Sequence, residues 1–362
     1  MKIIVYAISK NESKFVNRFV ESMKEADDIY VLDTGSSDDT VSKLQELGVH
    51  VTRKIIEPFR FDTARNMALD LVPIDTDLCV SVDLDEVFES GWRKKLEENY
   101  QGETRIAYTY NWHIDSEGNP DVTFYLDKIH TRKDYKWTHP VHEVLTNINN
   151  NEKRKLIKEI VANHYPDKEK SRSNYLNLLE LSINESPEDD RNMHYLGREY
   201  MYYNKYQEAI DTLIKHLNLK SATWLDERCA SMRFIGRCYK NLKRFDEANM
   251  WYEKAIKEAP YLRDPYVELA LLYYEKEDYE KVYFYLKQAI KITNHKKTYI
   301  NEVFSWNETP YDLLSIASYH LNLLPESLFY IDEALKINPN NERILKNKEL
   351  IENILIEKTI SN

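Results

Sequence analysis

Val31-Leu32-Asp33-Thr34-Gly35-Ser36-Ser37-Asp38-Asp39-Thr40 reads as a β-strand ending on an acid, a tight turn at the glycine, and the capping residues of a helix. The same strand–turn–helix alternation continues on both sides of it. Lys2–Ile8 is apolar and β-branched, and Val49–Arg53 and Leu78–Asp83 are further strands. Helical patterns at Ser13–Ala26, Thr40–Leu47 and Thr63–Leu71 fall between them. Strands spaced by helices of this length join through right-handed crossovers into a mostly parallel sheet. Thr104–His113 and Thr123–Arg132 are later strands, joined by a turn at Ser116-Glu117-Gly118-Asn119-Pro120.

Beyond about residue 168 the period becomes helical and repeats. Tyr239 to Tyr273, Phe245 to Tyr279 and Ala255 to Ala289 are each 34 residues apart, the tetratricopeptide period. One unit carries Gly236, Tyr239, Phe245, Ala248, Tyr252, Ala255 and Pro260. The unit before it, with Gly197, Tyr200, Tyr206 and Ala209, is offset by 39, so a short insertion separates the two. Ala270, Tyr273, Tyr279 and Ala289 mark the next unit. A degenerate one ends at Ala334 and Pro339, after an insertion holding Trp306, and a helix over 341–357 caps the stack. Small residues let paired helices approach and aromatics fill the gaps, so the tyrosines are expected in the core. The reading is therefore an α/β domain over 1–165 followed by an all-α repeat domain over 166–362.

Composition narrows the function. With 50 basic against 61 acidic residues the net charge is −11, which argues against a nucleic-acid partner. The 7 glycines argue against a Gly-rich all-β protein, and the 27 tyrosines fit helix-on-helix packing. Cys79, Cys229 and Cys238 have no metal-ligand spacing, so a reducing compartment is expected. The apolar run at the start is too short for a signal peptide. No stretch approaches the about 20 apolar residues of a membrane helix, and a cytoplasmic location is expected.

Chemistry concentrates at strand ends. Asp83 and Asp85, two apart at the end of an apolar strand, are expected to present both carboxylates to one side, where a hard divalent cation such as Mg²⁺ or Mn²⁺ would sit. Such a cation neutralises a diphosphate leaving group. Asp33 is placed to accept hydrogen bonds from a uracil or ribose, or else to cap its own turn. Arg65 offers its fork of donors to a phosphate or a neighbouring acid, or lies on a solvated helix face.

The ordered set Lys10-Asn11-Glu12, Asp33-Thr34-Gly35-Ser36-x-Asp38, Ala64-Arg65-Asn66-x-Ala68 and Asp83-x-Asp85-Glu86 resembles the family 2 glycosyltransferases of GT-A fold. Within that family it is similar to bacterial members with C-terminal tetratricopeptide repeats. Some of those glycosylate peptides or proteins, and others build surface glycans. The resemblance implies a nucleotide-sugar site at Asn11, Glu12, Asp33, Arg65 and Asp83, with Mn²⁺ or Mg²⁺ on Asp83 and Asp85. A Val-His-Glu like that of the relatives occurs at Val141-His142-Glu143. There His142 would complete the metal shell or support it, and Glu143 would take the acceptor proton, unless the two form a His–Glu pair that holds a loop. His164, Tyr165, Lys168 and Arg172 form a basic linker between the domains, either solvated or closing over the diphosphate.

The expected function is transfer of a sugar from a UDP-sugar with inversion at the anomeric carbon, inversion being implied by the family alone. The repeats would orient a protein or peptide acceptor, with homo-oligomerisation through them left open. A lipid-linked or surface-glycan acceptor is the runner-up. A catalytically dead repeat adaptor is the alternative from another class, against which the intact acid pair speaks. A nucleotidyltransferase would need a Gly-rich phosphate loop where Ser9-Lys10-Asn11-Glu12 stands.

Overall fold

The computed structural model describes residues 1–114, 118–167, 175–295 and 298–360. The chain divides into two compact units, 1–185 and 186–362. The sequence boundary at 165/166 falls just after the last strand of the first unit. A following helix, α5 (Tyr175–Glu185), also belongs to that unit. It is held there by ion pairing of Arg60 with Glu185 and by Tyr175 beside Phe61, with ring centroids 6.1 Å apart. Ser116 and Glu117 of the expected turn, and Lys168 and Arg172 of the expected linker, lie outside the described residues.

The first unit alternates as the sequence predicts. Its strands and helices begin with β1 (Ile3–Ser9), α1 (Val16–Met23), β2 (Asp28–Asp33), α2 (Thr40–Glu46), β3 (His50–Arg53), α3 (Phe61–Leu71) and β4 (Leu78–Ser81). Five further elements lead to the longest strands: β5 (Glu86–Phe88), α4 (Trp92–Asn99), β6 (Arg105–Ile114), β7 (Pro120–Thr131) and β10 (Arg154–His164). A small hairpin, β8 (Tyr135–Thr138) and β9 (Val144–Asn147), precedes β10. The main sheet runs β3-β2-β1-β4-β7-β6-β10-β5. Pairings β1–β2, β2–β3, β1–β4 and β6–β10 are parallel, and β7 enters antiparallel between β4 and β6.

Period-two alternation decides which face each strand residue meets. Ile3, Val5 and Ala7 of β1 pack under Phe19 of α1, Leu44 of α2 and Trp92 of α4. Ile4 and Tyr6 face the other way, against Ala64 and Ala68 of α3 and Trp137 of β8. Both faces are thus covered, which is why the central strands are apolar on both sides. On the second face Trp137 Nε1 donates to Tyr6 Oη at 2.7 Å, and that hydroxyl meets the fully buried His130 Nε2 at 2.8 Å. His130 Nδ1 donates in turn to the Thr131 carbonyl.

The second unit is a run of antiparallel helix pairs. These are α6 (Asp190–Tyr202) with α7 (Tyr206–Asn218), α8 (Leu225–Asn241) with α9 (Phe245–Glu258), α10 (Asp264–Glu275) with α11 (Tyr279–Ala289), and α12 (Thr309–His320) with α13 (Leu324–Ile337). A terminal helix, α14 (Glu342–Ile360), packs on the last pair. The small positions of the repeat are close approaches: a Cβ on Gly197 would meet Leu213 Cγ at 2.5 Å, and one on Gly236 would meet Tyr252 Cε1 at 2.8 Å. Tyr252 and Tyr273 are buried, as the core role predicts. The insertion after the first pair lies mostly in α8, which has 17 residues against 12 in α10 and is extended ahead of Gly236. Trp306 of the later insertion packs back beneath the Arg263 guanidinium, 4.1 Å from its ring.

Candidate active site

Because β1, β2 and β4 run parallel, the segments leaving them emerge at one edge, where open α/β sheets bind their ligands. The first two are stitched together. Asn11, in the left-handed region at φ 56, donates its N–H to Ser36 Oγ at 2.8 Å, and its Oδ1 accepts from Ser37 N at 2.7 Å. The Glu12 N–H donates to Thr40 Oγ1 at 2.8 Å. Asp33, fully buried, is the knot of this turn. Oδ1 accepts from Gly35 N and Ser36 N at 3.2 and 3.0 Å, and Oδ2 accepts from Ser9 Oγ at 3.2 Å and from Ser36 Oγ. Arg53 Nε lies 3.5 Å away. Each oxygen of Asp33 therefore already accepts two hydrogen bonds, the arrangement of the turn cap weighed in the sequence.

The acid pair is arranged differently from the expectation. β4 stops at Ser81, and Asp83-Leu84-Asp85-Glu86 is a turn closed by Glu86 N–H on the Asp83 carbonyl at 3.0 Å. The two carboxylates have different partners: Asp83 meets Arg65 and Lys128, and Asp85 meets His164. Among the described residues, Asp83, Asp85 and His142 do not bring three ligand atoms to one point. The physical reason is charge. Asp83 accepts from Arg65 Nη2 at 2.8 and 3.1 Å and from Lys128 Nζ at 3.2 Å. Partial burial pushes its pKa up, but these two cations outweigh burial and hold the carboxyl below the usual carboxylate range.

Arg65, on α3 and only 4% exposed, is the centre of the cluster. Besides Asp83 it donates from Nε to Glu143, and its guanidinium lies 5.1 Å from the Trp137 ring. Burial opposes its charge, but Asp83 and Glu143 more than compensate. Its neighbour Asn66 pins β8, exchanging hydrogen bonds of 2.8 Å with both backbone groups of Trp137. Glu143 is the ion partner of Arg65, and His142, at φ 51, faces Tyr175 of α5 with ring centroids 5.8 Å apart.

One member escaped the sequence reading, and another was placed there only in the linker, solvated or closing over the diphosphate. Lys128 of β7 bridges Asp83 and Glu86, with Nζ–Oε1 at 3.3 Å. The signal for it was a lone lysine inside a strand pattern, between Leu126 and Ile129. Glu86 is buried, accepts from Tyr110 Oη at 2.8 Å and from the Asp83 N–H at 3.0 Å, and has its pKa raised by burial against the pull of Lys128. The second member is His164, read as linker. It ends β10, and its Nε2 stands 3.4 Å from Asp85 Oδ2. Its Nδ1 lies 3.1 Å from the Trp112 carbonyl, which can only accept, so Nδ1 carries a proton; Nε2 then presents a lone pair in the neutral ring and an N–H toward Asp85 when the ring is protonated. Trp112, 43% exposed, stacks on it at 4.5 Å.

A divalent cation fits this set at Asp85 and His164. In the neutral ring a carboxylate oxygen faces an imidazole lone pair, and such sites keep further positions for substrate phosphates. Asp83 is already neutralised by Arg65 and Lys128 and would contribute only by loosening from them.

Comparison with known proteins agrees with both halves. Residues 4–160 match the model of glycosyl transferase family 2, and residues 234–261 and 264–296 match that of a tetratricopeptide repeat. Among solved structures the chain is similar to MamA, at 18% identity over 49% of this chain and 99% of that one, with a TM-score of 0.38. It is also similar to Pseudomonas aeruginosa PilF, at 13% identity over 48% and 72%, with the same TM-score. A curated relative is the transcription factor tau 131 kDa subunit of Saccharomyces cerevisiae, 33% identical over 92 residues. Those residues are 25% of this chain and 9% of that protein, so the chain spans less than a tenth of the relative's length. Among the described residues, no helix is long and apolar enough to cross a membrane.

Proposed function

We propose that this chain, a family 2 glycosyl transferase domain followed by tetratricopeptide repeats, moves a sugar from a nucleotide-diphosphate donor to a protein or peptide acceptor. The observation that carries the reading is the turn Asp83–Glu86. It sets one acid against Arg65 and Lys128 and the other against His164 Nε2, at the edge where β1, β2 and β4 end.

The nucleotide would lie across the stitched loops of Asn11, Glu12 and Ser36, which Asp33 holds in shape. UDP is the nucleotide the family resemblance favours. Mn²⁺ or Mg²⁺ at Asp85 and His164, with Asp83 close by, would neutralise the leaving diphosphate. Arg65 and Lys128 add charge beside the same phosphates. A diphosphate competing for the Arg65 guanidinium would release Glu143, which then takes the acceptor proton as transfer proceeds with inversion. The exposed Trp112 indole offers an apolar face on which a sugar ring can stack.

Support for a peptide acceptor comes from the second unit by itself. A cavity of about 440 Å³ is lined by Tyr202, Tyr206, Arg237, Lys240, Tyr252 and Phe304, among others. Its cations are paired internally, Arg237 with Glu268 and Glu302, and Lys240 with Glu275. Such a groove selects through aromatic and polar contacts more than through net charge. The test is nucleotide release from a panel of nucleotide sugars with Mn²⁺, with and without peptide acceptors. No release with any donor would leave the adaptor reading standing. Tyr202→Ala should lower transfer to peptide while donor hydrolysis to water stays unchanged; equal transfer would remove the groove from acceptor recognition.

A further inference from the structure

We infer that the first repeat carries a second metal site, in which Asp190, His216 and Glu227 bind one divalent transition cation, Zn²⁺ foremost. The three residues come from three helices. Asp190 opens α6, His216 lies in the last turn of α7, and Glu227 is in the first turn of α8. One nitrogen and two carboxylate oxygens all lie within 4.8 Å of one another. Atoms so spaced share a point within about 2.8 Å of each, against about 2.0–2.2 Å for zinc bonds to imidazole and carboxylate, so a small side-chain adjustment closes the shell.

The observation that points to a ligand is His216 itself. It is fully buried, yet its Nε2 makes no hydrogen bond. The nearest carboxylate oxygen, Glu227 Oε1, is 3.4 Å away, beyond the about 2.7–2.9 Å of a charge-assisted bond. On the other side of the ring, Nδ1 is 2.9 Å from Ser231 Oγ, which lies 2.7 Å from His194 Nδ1. The single serine proton serves one ring and its oxygen the other. In the metal-binding tautomer His216 Nδ1–H donates to Ser231, the hydroxyl donates to His194, and Nε2 turns a lone pair toward two carboxylates. A hydrogen-bonded Nδ1 is the usual way a ligating histidine is oriented. Tyr299 Oη donates to Glu227 Oε2 at 2.6 Å, which holds that side chain and leaves Oε1 for the cation. Arg191 feels the Glu227 charge, but one arginine against two carboxylates leaves negative charge in excess.

Asp190 is only half-buried, so the site opens to solvent on its side. A nitrogen with two oxygens suits Zn²⁺, and the affinity order of the divalent metals places Mn²⁺ well below it. A cation here would tie α6, α7 and α8 together and stiffen the start of the repeat stack.

The test uses the full chain, freed of metal by a chelator and then titrated with zinc chloride by equilibrium dialysis and thermal unfolding. The expected result is one zinc whose affinity falls at least about tenfold in His216→Gln and Glu227→Gln, together with a zinc-dependent rise in Tm that both variants lose. Asp85→Asn and His164→Gln should keep that zinc, which separates it from any ion at the transferase site. Circular dichroism establishes that each variant is folded. Should either buried variant unfold, Asp190→Asn, at the solvent edge, takes its place and is expected to weaken zinc likewise. Wild-type zinc affinity in folded variants, or no zinc bound by the wild type below about 100 μM, would overturn the site.

Discussion

His164 Nε2 stands 3.4 Å from Asp85 Oδ2 while Nδ1 is committed to the Trp112 carbonyl, so the nitrogen that gains or loses a proton is the one that faces the second acid of the turn. Burial would lower the His164 pKa, but Asp85 outweighs burial and raises it above the ordinary value of 6.5. The signs for stability and for metal differ. The protonated pair stabilises the fold below about pH 6.5, and that contribution is lost as pH rises through the raised value. A cation needs the neutral ring, so Mn²⁺ affinity should increase over that same rise. Calorimetric titration of Mn²⁺ from pH 6 to pH 8 checks this. A flat profile, or one that His164→Gln leaves unchanged, would remove His164 from the metal site. Asp85→Asn should abolish Mn²⁺-dependent turnover with the fold intact, since Asp85 keeps the β10 end through its backbone carbonyl.

Glu143 is expected to separate two roles. Gln in its place still accepts from Arg65 but cannot take a proton, so Glu143→Gln should lower kcat by about 10²–10⁴ with little change in donor KM. A raised KM with kcat kept would make it a positioning partner of Arg65 only.

Asp33→Asn is expected to loosen the stitched loops. The amide presents a donor where a carboxylate oxygen accepted from Ser9 or Ser36. A buried polar group left unpaired costs about 1–3 kcal/mol. Nucleotide affinity should fall together with stability, by about tenfold. Unchanged nucleotide affinity in calorimetry would detach this turn from the donor site.

His130 should make the first unit acid-labile. Burial pushes its pKa down from 6.5 to about 4, so the unfolded chain takes the proton first. Stability is full above about pH 6.5 and declines as pH falls toward about 4, by up to about 3 kcal/mol. Urea midpoints at pH 7 and pH 5, compared with those of His130→Gln, should show a shallower loss in the variant. An identical loss would assign the acid sensitivity to other groups.

Gly236→Ala and Gly197→Ala should each lower Tm. The added methyl would sit 2.8 Å from the buried Tyr252 ring or 2.5 Å from Leu213. Overpacking of this kind costs about 1–3 kcal/mol, against about 1 kcal/mol gained in helix propensity. A raised Tm in both variants would show that the helix pairs have room to part.

The sequence by itself determined the order of strands and helices up to β4, the helical pairs at a 34-residue period, and the motifs that resemble a nucleotide-sugar site. These are local properties. Side-chain period distinguishes a strand from a helix within a few residues, and turn chemistry marks where each stops. Even the burial of Tyr252 and the close packing at Gly236 follow from the repeat pattern. Only the tertiary structure decided which side chains meet. β10 pairs with β6 and β5 and so carries His164 to Asp85, 79 positions earlier in the chain; β7 enters beside β4 and brings Lys128 to Asp83. Period alone says which face of a strand is covered, and nothing about which strand lies next to it. With two cations supplied by distant elements, Asp83 became the partner of an ion cluster, because a carboxylate in a half-buried turn is costly to leave unpaired.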